Sequence, residues 1–181
     1  MSVREREFIA DRIYFITYTI YKWIHLFTED KYFHTVYKWF DYMKKQYNNK
    51  IHGYVIMPNH IHLLLYISEQ SPDVSKLVQN AKRFQTLDII NYLTSDNKTD
   101  LIRIFSESAD LKKGSKHKVF KGRFDSKEMV NAEMYREKLN YIHNNPCTVK
   151  WQLAERPEDY LHSSASNYIN GYGIYDVELI Y

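Results

Sequence analysis

Two short apolar runs, 51–57 and 60–67, lie end to end with only Pro58 and Asn59 between them. Proline presets one backbone dihedral and asparagine tolerates left-handed geometry, so the pair favours a turn. Two strands joined as a hairpin are the natural reading. The flanking elements follow from periodicity. Segment 12–21 mixes Ile13, Phe15, Tyr18 and Ile20 with Thr17 and Thr19, a β-branched and aromatic pattern that reads as a strand. In 28–47 the apolar residues Tyr32, Phe33, Val36, Tyr37, Phe40 and Met43 recur at three and four, which predicts an amphipathic helix that Asn48 and Asn49 end. Leu77, Ala81, Phe84, Leu87 and Ile90 predict a second helix within 71–93. The polar stretch 94–118 reads as an irregular insertion, with 101–105 a short strand or a turn of helix. Segment 119–124 reads as a strand and 126–144 as a helix, which Pro146 ends because proline disfavours helical geometry in the residue before it. The tail, 151–181, is aromatic and irregular and is expected to wrap the domain.

This β-α-β-β-α-β order is the split β-α-β, or ferredoxin-like, arrangement. The expected fold is α+β: an antiparallel sheet with helices on one face, plus a C-terminal helix carrying Tyr141 and an aromatic tail. At 181 residues the chain reads as one domain, 1–181, with a core of about 12–146 and an extension over 147–181. Hydrophobic residues are 44%, enough to bury a real core. One cysteine, Cys147, excludes a disulfide-stapled secreted scaffold. No apolar run reaches the roughly 18 residues of a membrane span, and 1–12 lacks the apolar region of a signal peptide. These features read as cytoplasmic. A net charge of +3 permits nucleic-acid binding without demanding it. Lys112, Lys113, Lys116, Lys118, Lys121 and Arg123 fall in one short stretch, which suits either a solvated loop or a phosphate contact surface. Arg83 and Lys138 join them as candidates for positioning phosphates. Aromatic residues reach 16%, with 17 tyrosines, and abundance alone singles out none of them.

Two constellations carry chemistry. His60 and His62 alternate along one strand, so both imidazoles share a face with Leu64 and Tyr66, about 7 Å apart by strand rise. They can converge on one divalent metal, but the tripeptide by itself favours two unrelated surface histidines, because such short pairs arise readily by chance. In the helix 126–144, Tyr141 and Asn145 are one turn apart, and Lys138 lies three residues before Tyr141. Tyr135, Leu139 and Ile142 form a separate apolar stripe. A tyrosine hydroxyl is a nucleophile when a metal or a cation stabilises its phenolate. A plain structural tyrosine is the alternative.

Together the two constellations resemble a family. The run Tyr54-Val55-Ile56-Met57-Pro58-Asn59-His60-Ile61-His62-Leu63-Leu64 resembles the signature of the IS200-like single-tyrosine transposases. Tyr141-Ile142-His143-Asn144-Asn145-Pro146 is similar to the tyrosine motif of the REP-associated branch. Phe120-Lys121-Gly122-Arg123-Phe124 also fits, although the family often has tryptophan where Phe120 stands. Ser163-Ser164-Ala165-Ser166-Asn167-Tyr168 resembles the branch's C-terminal Ser-Ser-x-x-x-Tyr element. The insertion 94–118 departs from the most compact members and touches neither motif.

The resemblance implies a histidine-hydrophobic-histidine (HUH) endonuclease and DNA strand transferase, with Ile61 as the bulky middle residue. It implies that His60, His62 and Asn145 hold Mg2+ or Mn2+ and that Tyr141 is the nucleophile. The implied partner is single-stranded DNA with hairpin or inverted-repeat structure, which would place the protein with the nucleoid. Tyr141 would attack phosphorus to give a 5′-phosphotyrosine link and a free 3′-hydroxyl. The energy of the ester is kept, so no ATP is needed, and no Walker-type glycine loop is present. With Cys147 the sole thiol, a cysteine-rich zinc cage is ruled out. Three rival readings stand beside this one: a catalytically silent relative that binds DNA hairpins, a metal-dependent hydrolase that uses water, and a ferredoxin-like RNA-binding protein. The long aromatic tail favours a monomer over a homodimer, with its own tail completing the active site.

Overall fold

The computed structural model describes residues 8–109 and 114–180. The sheet has four strands: β1 (Arg12–Thr19), β2 (Lys50–Met57), β3 (His60–Ile67) and β4 (Asp125–Glu128), in the order β2-β3-β1-β4. Every neighbouring pair is antiparallel. The helices are α1 (Asp30–Tyr47), α2 (Val74–Ser95), α3 (Thr99–Glu107), α4 (Ala132–Asn144) and α5 (Ala165–Asn170). This is the expected α+β, split β-α-β order.

The alternation along β3 sorts its side chains into two cores. Ile61, Leu63, Leu65 and Ile67 pack with Val36, Phe40 and Met43 of α1 and with Leu77, Val78 and Ala81 of α2. Leu64 faces the other way, with Val55 and Met57 of β2 and Tyr135, Leu139 and Ile142 of α4. Helices α1 and α2 therefore cover one face, and α4 lies against the other. A bulge between Ile51 and Gly53 lets Ile51 join Tyr54 and Ile56 in the first core, because one extra residue shifts the alternation. At Gly53 a β-carbon would stand 2.8 Å from Leu139 Cδ1, so glycine admits α4 close to the sheet.

Several boundaries differ from the sequence expectations. The last strand is Asp125–Glu128, not 119–124. Val119 and Phe120 are buried as core plugs, and Phe120 makes only an isolated bridge to Ile20. The true strand is polar because β4 is an edge whose side chains are largely exposed, and its ladder uses backbone groups alone. Helix α4 accordingly starts at Ala132 rather than at 126, and the Asn131 side chain caps it by accepting from Met134 N at 2.8 Å. The insertion is not wholly irregular: α3 forms there and buries Phe105 in the main core. The tail also contains a helix, α5. Asn48 ends α1 in left-handed geometry, φ 53°, as an asparagine there suggests.

Candidate active site

The hairpin turn is tight, with Met57 paired to His60. Asn59 is not in left-handed geometry. Its value lies in its side chain: Nδ2 donates to the Trp23 carbonyl at 3.1 Å, which turns Oδ1 toward His60 Nδ1 at 2.7 Å. With Oδ1 an acceptor only, His60 Nδ1 carries the proton and Nε2 keeps a free lone pair. Across the β1–β3 ladder, Thr17 stands opposite His62, and its Oγ1 lies 2.7 Å from His62 Nδ1. His62 Nε2 is buried without a hydrogen-bond partner. Among the few orphaned buried polar atoms of the described residues, this one is an imidazole nitrogen beside a second imidazole, their centroids 4.7 Å apart. Burial holds the His60 pKa down at about 4, helped by the charge of Lys150. Burial likewise holds that of His62 at about 3, helped by His60 and Lys138. Both rings are therefore neutral, the form in which imidazole ligates metals.

Helix α4 brings Tyr141 over this pair. Its ring centroid is 5.1 Å from that of His62, at 70°. Phe15 of β1 stacks on His62 at 5.4 Å and meets Tyr141 edge-on at 6.1 Å. Lys138 Nζ lies 5.6 Å from the Tyr141 ring centroid and 5.5 Å from that of Phe15. Tyr141 is 49% exposed, whereas Tyr18 and Tyr54 are fully buried. It is a solvent-reachable phenol beside two neutral imidazoles and a cation. Asn145 follows the last residue of α4 with helical dihedrals (φ −53°, ψ −46°) despite the proline after it, so the one-turn relation to Tyr141 holds. It is buried at 6% exposure, and its side-chain amide makes no hydrogen bond among the described residues. The two neighbouring imidazole nitrogens are donors of the kind that suits a divalent cation, and the buried Asn145 amide lies one helical turn from Tyr141. Among the described residues no group of three or more His, Cys, Asp or Glu is placed so that it could hold a metal ion.

The basic candidates scatter. Lys138 belongs to the site. Lys121 lies with its Nζ 3.6 Å from the Trp23 ring centroid, and Trp23 in turn meets His60 at 6.4 Å. Lys118 sits over Tyr21. Lys116 and Arg123 are exposed, and Lys112 and Lys113 lie outside the described residues. Arg83 is exposed on α2, in the layer on the opposite face of the sheet from the histidine pair, and is not brought to the site.

Sequence reasoning missed Thr17, Phe15, Lys82 and the orienting role of Asn59. Strand alternation puts Phe15 and Thr17 on one face of β1, but nothing local says that β3 lies beside it. Lys82 of α2 donates to the carbonyls of Lys121, Gly122 and Arg123 at 2.8, 3.1 and 3.3 Å, which pins the loop that carries Lys121. The Ser-Ser-x-x-x-Tyr element proves to be a fastening for α4. Ser164 Oγ accepts from Tyr54 N at 2.9 Å and lies 2.9 Å from His143 Nε2. The Tyr168 hydroxyl donates to the His52 carbonyl and lies 2.9 Å from that of Tyr135.

No protein-family model and no curated protein matches the chain. Solved structures do. One is a crystal structure of a candidate transposase from Deinococcus radiodurans, at 14% identity and a TM-score of 0.45, covering 79% of this chain and 97% of that one. Another is the structure of a REP-associated tyrosine transposase bound to a REP hairpin, at 21% identity and a TM-score of 0.64, covering 94% of that chain. The protein thus shares, along 100% of its own length, the fold of a REP-associated tyrosine transposase.

Proposed function

We propose that the protein is a single-stranded DNA endonuclease and strand transferase, a transposase that acts at hairpin-associated sites through a covalent tyrosine intermediate. The observation that carries this reading is the meeting of Tyr141 with the histidine pair: an exposed phenol 5.1 Å, ring to ring, from an imidazole whose Nε2 is buried and unpartnered. The fold shared with a hairpin-bound tyrosine transposase supports the same substrate class.

In this reading the scissile phosphate lies between Tyr141 and His60–His62. The Tyr141 oxygen attacks phosphorus in line. The Tyr–O–P bond forms as the bond to the 3′-oxygen breaks, the phenol proton leaves, and the departing 3′-oxygen takes one up. The 5′-phosphate stays on Tyr141, so a later 3′-hydroxyl reverses the step and joins strands. Lys138 places a positive charge over the attacking ring. Asn59 and Thr17 hold the imidazoles so that Nε2 of each is offered to the site. Mg2+ or Mn2+, held by His60, His62 and Asn145, would supply Lewis-acid polarisation of the phosphoryl oxygen and orient the ester.

The test is a suicide single-stranded substrate carrying a hairpin, run on a denaturing gel with Mn2+. The wild-type chain is expected to form a covalent adduct that Tyr141→Phe does not form and that the His60→Ala/His62→Ala double variant loses. An adduct with Tyr141→Phe overturns the nucleophile. Tight hairpin binding by the wild-type chain without any adduct identifies the silent DNA-binding alternative.

A further inference from the structure

Beside the histidine pair lies a cleft of about 550 Å3, a size that holds a small organic ligand. Trp23 lines it on one side and Lys150 and Trp151 on the other, with Pro58–Asn59 between and the His25 ring packed against that of Trp151 at 5.5 Å. His60 lies next to the cleft, its ring 6.4 Å from that of Trp23 and 5.7 Å from that of Trp151. Both walls use left-handed backbone at residues that do not favour it: Lys22 (φ 54°) and Trp23 (φ 59°) on one side, Gln152 (φ 48°) on the other. Such strain persists only where surrounding bonds over-determine it. Those bonds are present. Asn59 Nδ2 holds the Trp23 carbonyl, Leu26 N and Phe27 N both donate to the Pro58 carbonyl, and Trp151 N and Gln152 N both donate to the Thr148 carbonyl. The result is an indole 52% exposed at Trp23 with a second, partly exposed indole at Trp151, each beside a lysine: Lys121 Nζ over Trp23 at 3.6 Å and Lys150 Nζ over Trp151 at 5.3 Å.

We infer that this cleft is a nucleobase subsite. It takes the unpaired base of the nucleotide next to the phosphate at His60 and His62, by stacking on Trp23 and Trp151. Lys121 and Lys150 meet the flanking phosphates. Aromatic faces interleaved with cations are the chemistry of single-strand recognition, in which any base can stack and the backbone supplies the charge. The inference rests on the reading that the histidine pair handles a DNA phosphate. Its test reads binding rather than cutting, so the two fail separately.

The chain has three tryptophans, and Trp39 is buried in the core, so a change of tryptophan emission on binding reports Trp23 and Trp151. The full chain, in EDTA, is titrated with a short deoxythymidine oligomer and with an abasic oligomer of the same length. The thymidine oligomer is expected to change the emission and to bind on the order of ten-fold more tightly than the abasic one. Trp151→Ala is expected to shrink that difference several-fold, and Trp151→Phe to keep most of it; an undiminished difference in Trp151→Ala overturns the part given to Trp151. Equal binding of the two oligomers by the wild-type chain, a measurement that needs no variant, overturns the subsite. Tighter binding of a uridine RNA oligomer overturns its assignment to DNA. Base-dependent binding in a chain that never forms an adduct leaves the subsite standing and removes the cleavage. An adduct formed equally well on a strand made abasic beside the cleaved phosphate does the reverse.

Discussion

Asn59 works with both ends of one amide. Its oxygen sets the His60 tautomer and its nitrogen holds the backbone of Trp23, so one residue couples the histidine pair to the aromatic cleft. Asn59→Leu leaves a buried imidazole N–H and a carbonyl unpaired. The expected cost is about 1–3 kcal/mol in urea unfolding. On the proposed reading that His60 holds Mn2+, the same change is expected to lower Mn2+ affinity about 10–100-fold, the usual effect of losing the partner that orients a ligating histidine. Calorimetric titration with Mn2+ checks it, and undiminished affinity shows that the His60 tautomer is held by something else. Thr17→Val is the matching change at His62 and is expected to act in the same direction. Tyr141 differs from the other tyrosines in a way that composition cannot express. Tyr18 and Tyr54 have their ionisation pushed far up by burial, which keeps them neutral packing groups, whereas Tyr141 is half exposed beside Lys138.

The element that matters most is α4, since its position over the sheet decides whether Tyr141 meets His62. Three features hold it: the apolar stripe Tyr135, Leu139 and Ile142, the close approach at Gly53, and the hydrogen bonds through Ser164. Ser164→Ala leaves Tyr54 N and His143 Nε2 without their partner in a fully buried place. The expected loss is about 1–3 kcal/mol in urea unfolding, with adduct yield on the suicide substrate falling further than stability does. A full loss of stability with unchanged adduct yield per folded molecule would falsify the role of this bond in placing the helix. The stripe on α4 is legible in the sequence because helical period exposes it. The helix starts later than the expected 126 because the backbones of Ser126 and Glu128 pair with Ile16 and Tyr14 in the sheet. An edge strand needs no apolar residue, so periodicity has nothing to detect there.

At the scale of the whole molecule, five imidazoles are buried and burial lowers the pKa of each: His52, and more strongly His60, His62, His143 and His162. Burial lowers the pKa of His60, His143 and His162 to about 4 and that of His62 to about 3. Because each lies below the ordinary value near 6.5, the unfolded chain binds protons that the folded one refuses. Stability is therefore full above pH 6.5 and falls as the pH drops through 6.5 toward the folded values, by about 1.4 kcal/mol per pH unit for each imidazole engaged. The urea midpoint is expected to hold between pH 8 and 7 and to drop steeply between about pH 6 and 4. A flat midpoint across that window shows that the imidazoles are already protonated in the fold. The C-terminal segment also closes one side of the sheet. Ile56 N donates to His162 O, Ser164 N to Tyr54 O and Glu178 N to Ile51 O, so the outer edge of β2 is occupied. The other edge, β4, is short and charged. Both are devices against pairing with a second sheet. The expected species in sedimentation is a monomer with Tyr141 acting beside its own histidines, and a stable dimer overturns that expectation. Among the described residues no helix is long and apolar enough to cross a membrane.

The local half of this protein was readable along the chain. The hairpin, the two amphipathic helices before the insertion, the shared face of His60 and His62, and the one-turn spacing of Tyr141 and Asn145 all follow from periods of two and 3.6 residues. Those periods state which side of an element a residue occupies. They do not state what lies across from it. That Thr17 stands opposite His62, that α4 takes the face α1 and α2 leave open, that β4 is polar, and that Trp23 and Trp151 enclose one cleft all depend on pairings between distant segments. Ladder hydrogen bonds use the backbone that every residue carries, and a packed face accepts any apolar stripe of suitable shape. Which segments meet is therefore set by the sum of contacts in the folded chain, and only there does an exposed tyrosine acquire two histidines.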